Sequence, residues 1–420
     1  MKISEFASLF DIPINTIRFY VSCGLLLPEV RNKQFRFDAR CVADMKLILQ
    51  LKEFDFSIAE IQSILALVRL SNLTAEDDIE DLVHILNAKH AELTEKLAQS
   101  QKAIRNLERY IAAVRRKEIM ETPGGTSGVP IEMLPLLCCP DCGKPLSMQN
   151  ADIRRGQILE ADISCDCGYC ASIRNGILVT EGGWISQYDS PDVDRKFYKD
   201  LPVSWVTLFQ KSFNWMLKEY KDMDLSGKVI LETHINFYFF CFARIADMDR
   251  NAVYIFTDKY LEIVTLFKSL IERQNPDLKI LYIADSTYRY PLRKECVDLY
   301  VDFCSLNEYS TFTDGENLFT LMEPYLKPDA KVLGTYFYFD PKSPSQKELL
   351  REYPDCAGDD YFLSFYIKAA REAGYCVERE EEIGFVTENG SANRNFTFHV
   401  GEDPMHMLSY LAKFDGKKQT

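Results

Sequence analysis

Residues 15–37 read NTIRFYVSCGLLLPEVRNKQFRF, and the fold of the N-terminal part turns on them. Just before them Ile3, Phe6, Ala7 and Phe10 fall on one face at helical spacing, and Asp11-Ile12-Pro13 makes a turn. A second helix runs from Asn15 through Thr16, Ile17, Arg18, Phe19 and Tyr20, and Gly24 stops it. Two short helices joined by a tight turn form a helix-turn-helix, whose second helix can enter a DNA major groove. Beyond Pro28, the basic residues Arg31, Lys33 and Arg36 alternate with Phe35 and Phe37, the pattern of a hairpin wing lying on phosphates. Val42, Met45, Ile48, Leu49 and Leu51 then begin another amphipathic helix, followed by Phe54, Phe56, Ile58, Ile61 and Ile64.

Charge along the chain agrees with this placement. The 420 residues carry a net charge of −14, which on its face disfavours a nucleic-acid binder. Residues 1–120, however, hold 17 basic and 17 acidic side chains, and residues 1–52 hold 8 basic against 5 acidic. The acidic excess therefore lies wholly beyond residue 120, and DNA contact is expected at the N-terminus alone. An apolar content of 47% with 27% charged residues excludes a disordered chain, and the length predicts several domains. No apolar run reaches membrane-spanning length, and MKISEFASLFDI lacks the cationic and apolar regions of a signal peptide, so a cytoplasmic location without membrane contact is expected. In such a compartment clustered cysteines suggest a metal, and scattered ones are usually small buried apolar residues.

The TIRFY motif at 16–20, Gly24-Leu25-Leu26, Pro28, Phe35-Arg36-Phe37 and LKEFDFSIAEI at 51–61 together resemble the mercury-resistance-regulator (MerR) family in order and spacing. Gln34 departs from it, standing where the wing tip commonly has glycine. The resemblance implies a winged helix-turn-helix over 1–72 that binds double-stranded promoter DNA. By position, Asn15, Thr16, Arg18 and Tyr20 would face bases or nearby phosphates, and Arg31, Lys33 and Arg36 would hold the backbone. It also implies a homodimer that deforms a promoter spacer so that RNA polymerase can engage both elements.

From Leu73 to Lys117 the chain has neither Gly nor Pro. Ile79, Val83, Leu86, His90, Leu93, Leu97, Ser100, Ile104, Leu107, Ile111 and Val114 recur by fours and threes, predicting a coiled-coil dimerisation helix over 73–120. His90 and Ser100 are the polar interruptions and read as register-setting; packing within one chain is the competing reading. In the resembling family this helix pairs antiparallel with its partner's, and such a dimer reads a near-palindromic site.

ETPGGTSGVP opens a linker, placed at 121–133. CPDCGKPL at 139–146 and CDCGYC at 165–170 then predict a small four-cysteine zinc ribbon over 134–183, holding one structural zinc ion. Regular C-x-x-C spacing selects Cys139, Cys142, Cys167 and Cys170. The CDCG and IRNGI segments also resemble the ribbon preceding some methyltransferases, which would make Cys165 the fourth ligand in place of Cys170. A metal or thiol sensor is the functional alternative to a structural staple, since the family includes such sensors.

From about residue 188 strands and helices alternate: strands at Lys228–Glu232, Val253–Thr257, Leu278–Ala284, Val297–Phe303 and Val332–Phe339, with helices at Leu261–Arg273 and Gly315–Leu326 among them. This predicts a doubly wound, Rossmann-like α/β domain over 188–415. LSGKVILE at 225–232, Asp258 and Asp285 resemble the class I S-adenosylmethionine-dependent methyltransferases, in which Glu232, Asp258 and Asp285 would hold the cofactor. Tyr361–Gly374 would be the last helix, ahead of a closing hairpin. After Glu232, though, that family has glycines so that backbone can pass close to the cofactor. Here His234, Asn236 and Tyr238 stand in their place. Loss of ordinary cofactor binding is therefore expected, and with it a domain serving as an effector or assembly module. Its aromatics, among them Phe237, Phe240, Tyr336 and Phe337, are either pocket lining or strand core. No complete nucleophile or acid–base set is visible. The fold class expected is thus multidomain α and α/β, and the function that of a DNA-binding transcription regulator with a small-molecule effector. The alternative is an active methyltransferase tethered to a DNA-binding dimer.

Overall fold

The computed structural model describes residues 1–119, 127–195, 201–275, 277–313, 315–356, 358, 361–389 and 396–416, so residue 120 of the expected dimerisation helix and residues 121–126 of the expected linker lie outside the described residues. Contacts divide the chain into two units, Met1–Ile119 and Met120–Thr420.

The first unit contains α1 (Ile3–Phe10), α2 (Ile14–Ser22), a hairpin of β1 (Glu29–Arg31) and β2 (Gln34–Arg36), α3 (Ala39–Glu53), α4 (Ile58–Ser71) and α5 (Glu76–Ile119). Phe6, Ile17, Leu25, Leu26, Phe37, Met45, Ile48 and Ile61 form its core. The hairpin turns at Asn32 and Lys33, both at positive φ (51° and 61°), as a two-residue turn matched to strand twist requires. Gln34 therefore falls on β2 rather than at the tip, which removes the need for glycine there. Ser57 and Glu60 cap α4 reciprocally, each side chain meeting the other's backbone N–H.

In the second unit a twelve-stranded sheet runs in the order β13-β14-β12-β11-β8-β9-β10-β7-β6-β5-β3, with β4 paired on β5. These strands are β3 (Val129–Pro130), β4 (Ser147–Arg154), β5 (Gln157–Ser164), β6 (Cys170–Arg174), β7 (Ile177–Thr180), β8 (Val229–Thr233), β9 (Val253–Asp258), β10 (Lys279–Ala284), β11 (Val297–Phe303), β12 (Leu326–Phe339), β13 (Tyr375–Val386) and β14 (Met405–Phe414). The central strands β10, β9, β8, β11 and β12 are parallel, and β14 inserts antiparallel between β12 and β13. Helices α6 (Val203–Lys221), α7 (Phe240–Ala243), α8 (Leu261–Gln274), α9 (Ser305–Phe312), α10 (Leu318–Met322), α11 (Pro344–Glu352) and α12 (Leu363–Glu372) accompany the sheet. All five β8 residues are buried, as a parallel strand covered on both faces must be. Two apolar clusters result, one centred on Trp205, Tyr254 and Phe267 and the other on Tyr290, Leu306 and Tyr366. This is a doubly wound, Rossmann-like arrangement.

Two features go beyond the sequence reading. First, β7 lies parallel to β10, with Ile177 opposite Tyr282, so the cysteine-bearing ribbon continues the large sheet. Second, α6 and α9 are helices the sequence pattern did not assign, and the expected helix at 315–326 is confined to α10 and the 3-10 turn Glu323–Tyr325.

Candidate functional site

On the first unit, α2 presents Asn15 and Arg18 to solvent and holds Thr16 half-buried. Tyr20 is different: it is 8% exposed and packs in the core, so it is turned away from the surface where DNA contact was expected. On a helix it follows Ile17 by three residues and so shares the buried face. Arg31 and Lys33 are exposed on the hairpin and Arg36 is half-buried; Arg31 meets Glu29 in an open ion pair at 2.8 Å, a weak interaction at the surface. Along α5, Ile79, Val83, Leu86, Leu97, Ile104, Leu107, Ile111 and Val114 are all exposed, and Leu93 is half-buried. Leu82 and Ile85, off that line, pack on the winged-helix core.

On the second unit, Cys139, Cys142, Cys165 and Cys167 bring their sulfur atoms within 4.8 Å of one another. The Sγ pairs Cys139–Cys167 and Cys142–Cys165 are each 3.4 Å apart. Four thiolates about 2.3 Å from a tetrahedral zinc stand about 3.8 Å apart, so the set fits such an ion. Gly143 and Gly168, at φ 71° and 101°, close the two knuckles, and Gly143 N–H donates to Cys139 O and Gly168 N–H to Cys165 O. Cys170 does not join the group, which corrects the selection made on C-x-x-C spacing. The turn at Gly168 comes directly after Cys167, and Cys170 is already the first residue of β6, paired with Ser164. Its Sγ faces the Gly168 carbonyl at 3.7 Å. The informative signal was the CDCG segment, in which glycine follows Cys167 as it follows Cys142.

The three carboxylates expected at the strand ends are all at most 3% exposed. Glu232 accepts the N–H groups of Phe240 (2.6 Å) and Cys241 (3.0 Å). Asp258 accepts those of Asn236 (2.8 Å) and Tyr260 (3.0 Å). Asp285 accepts from Tyr288 N–H (2.7 Å), Thr287 N–H (2.8 Å) and the Thr180 hydroxyl (2.5 Å). Burial raises the Glu232 carboxyl to about 7 and that of Asp258 to about 6.

His234, Asn236 and Tyr238 are 4%, 5% and 1% exposed and occupy the space that glycines would leave open. His234 takes the left-handed φ of 55° that glycine would adopt without strain. Burial holds its imidazole well below the usual value, with Lys259 adding to the effect. Asn236 pins residues 181–195, which cross the strand ends as an irregular strap. Its Oδ1 accepts Asp192 N–H (2.8 Å), its Nδ2 donates to Ser190 O (3.2 Å), and its carbonyl accepts from Arg195 (2.5 Å). Within the strap, Gly183 N–H donates to Ser286 Oγ at 2.6 Å, and a Cβ at Gly183 would meet Ser286 O at 2.8 Å, so only glycine passes there. Lys259 pairs with Asp189 of the strap. Burial opposes its charge, but Asp189, Glu308 and Asp258 outweigh burial and keep the ammonium protonated. The carboxylates are thus engaged by backbone and strap, and the glycine-lined approach is filled. The residues present do not fit S-adenosylmethionine held in the methyltransferase manner.

A cavity of about 570 Å³ lies beside these residues, between the strap, α9 and the β12 strand. Asp189, Asp192, Phe237, Glu308, Phe312 and Phe396 are among its lining residues. Of the aromatics singled out from sequence, Phe237 and Phe337 line it, whereas Phe240 and Tyr336 are fully buried core.

The chain thus joins a winged helix-turn-helix and a long helix to a doubly wound α/β unit with a four-cysteine cluster. Residues 1–67 match the family model described as MerR HTH family regulatory protein, and residues 42–110 match that described as MerR, DNA binding. The N-terminal unit therefore carries MerR-type DNA-binding domains. No curated protein matches the sequence. Solved structures similar to the chain include the MccD protein, 12% identical with a TM-score of 0.38 over 48% of this chain and 96% of that one. Another is a putative sarcosine dimethylglycine methyltransferase from Galdieria sulphuraria, 12% identical, TM-score 0.37, over 49% and 86%. A third is a phosphoethanolamine N-methyltransferase 2 from Haemonchus contortus, 14% identical, TM-score 0.37, over 53% and 58%. Among the described residues no helix is long and apolar enough to cross a membrane.

Proposed function

We propose that this protein is a dimeric regulator that binds a near-palindromic promoter site and deforms it, with RNA polymerase as the beneficiary and the C-terminal unit receiving a small-molecule signal. The observation that carries this reading is the match of residues 1–110 to MerR DNA-binding models. The exposed aliphatic line on α5 supports dimerisation, because eight large apolar side chains in one row need a partner in water. Asn15, Thr16 and Arg18 meet base edges or adjacent phosphates, and Arg31, Lys33 and Arg36 hold the backbone. Cys139, Cys142, Cys165 and Cys167 hold one zinc ion as a staple for a ribbon with little core of its own. The filled strand ends favour signal reception over methyl transfer.

The test is selection of binding sites from random duplex DNA, followed by footprinting. Recovery of an inverted repeat protected symmetrically by a two-subunit complex is the expected result. Binding without sequence preference, or by a monomer to a single half-site, would overturn the reading.

A further inference from the structure

The cavity beneath the strap has a one-sided chemistry. Among the described residues that line it, three are acidic, eight are aromatic and none is basic. Asp189 is answered by its ion pair with Lys259, and Asp192 stands 3.9 Å from the Arg195 guanidinium. Glu308 is not: it is 8% exposed, has no hydrogen-bond partner among the described residues, and its nearest cation is Lys259 Nζ at 3.9 Å. That ammonium is committed to Asp189. Burial pushes the Glu308 carboxyl well above the usual carboxylate range, Lys259 opposing it, and a ligand cation placed against it would favour its charged form.

The aromatic wall points the same way. The face of Phe312 already attracts a cation, with Lys259 Nζ 5.1 Å from the ring centroid. Phe237 and Phe396 pack edge to face, ring centroids 5.8 Å apart at 70°, and both line the cavity. Ring faces carry negative potential and favour ammonium groups, most of all where water is excluded. The volume lies within the range of small-ligand sites.

We propose that this cavity binds a small organic ammonium ion, its charge set against Glu308 and its apolar body among Phe237, Phe312 and Phe396. The proposal deepens the reading of the C-terminal unit as the receiver of a small-molecule signal and rests on it for biological meaning. The binding itself does not depend on DNA. The strap supplies a route from binding to response, because Asp189 and Asp192 sit on the strap and line the cavity.

The experiment is calorimetric titration of the full chain with benzyltrimethylammonium, benzyl alcohol and benzylsulfonate. The cation is expected to bind at least about tenfold more tightly than the alcohol, and the sulfonate not to bind. Glu308→Gln should weaken the cation about tenfold while leaving the alcohol unchanged. Phe312→Leu should weaken the cation more than the alcohol, and it serves as the second variant if Glu308→Gln does not fold by thermal unfolding. Equal affinities for cation and alcohol, tighter binding of the sulfonate, or insensitivity of folded Glu308→Gln would each overturn the assignment. Operator affinity measured with and without the cation separates the two readings. Glu308-dependent binding that leaves operator affinity unchanged sinks the signal-receiving role and keeps the site. A neutral or anionic compound that alone alters operator affinity through this cavity keeps the role and overturns the cation.

Discussion

His234 and Tyr288 stack across the ends of the β8 and β10 strands, ring centroids 5.2 Å apart at 20°, with His234 Nε2 2.9 Å from the Tyr288 hydroxyl. The pair fills the space at the end of the β8 strand, and its imidazole has its other nitrogen against Thr233 Oγ1 at 3.2 Å. Replacing His234 by alanine removes the stack, strands a buried tyrosine hydroxyl and keeps a side chain at positive φ. We expect His234→Ala to destabilise the second unit by about 2–4 kcal/mol in urea titration, whereas a loss under about 1 kcal/mol would mean the loop relaxes freely.

Calorimetric titration with S-adenosylmethionine and S-adenosylhomocysteine should give no binding in the micromolar range to folded protein. Stoichiometric micromolar binding would show that the strap and His234 move aside, and would return methyl transfer to the fore.

Zinc content separates the two cysteine assignments. Cys165→Ser should lose the metal on mild chelation, because it removes one of the four gathered thiolates. Cys170→Ser should retain it, since that sulfur lies against a carbonyl on the β6 strand. The reverse pattern in metal analysis would restore Cys170 as the ligand.

DNA binding should distinguish Tyr20 from Arg18, three and one residues beyond the same core position Ile17. Arg18→Ala is expected to weaken operator binding by about 1–3 kcal/mol, and Lys33→Ala to reduce the salt slope by about one. Tyr20→Phe should leave affinity unchanged, because its ring lies in the core. An operator-specific loss in Tyr20→Phe would put the hydroxyl at the DNA.

Stability of the second unit should fall as pH rises from about 5 to about 8. Burial raises the folded-state carboxyls of Glu232 to about 7 and of Asp258 and Asp302 to about 6. Between their unfolded values and these, the folded chain holds protons that the unfolded chain has released, so raising pH favours unfolding. A thermal midpoint that stays level across this range would show that their hydrogen bonds keep these groups ionised throughout.

The fold is most legible in the sequence where periodicity and local chemistry agree. The short helices of the helix-turn-helix, the α5 line of aliphatics and the β11 strand are all legible, because each follows from side-chain spacing within one element. Less legible are α6 and α9, where aromatic and polar residues mix and burial is settled by what packs against them. Tyr20 shows the same limit at one residue: its motif suggested a surface role, and its helical phase beside Ile17 placed it inside.

By itself the sequence determined a MerR-type DNA-binding region at the N-terminus, a long apolar seam, paired cysteine knuckles and an α/β unit whose first strand ends without glycines. Those features are local, written in spacing and residue type. Only the tertiary structure decided that Cys165 rather than Cys170 completes the cysteine group, that the ribbon extends the large sheet through β7 and β10, and that Asn236 ties a strap over a cavity. Each of these brings together residues far apart in the chain, and such contacts are set by strand pairing and packing, which no short stretch of sequence contains.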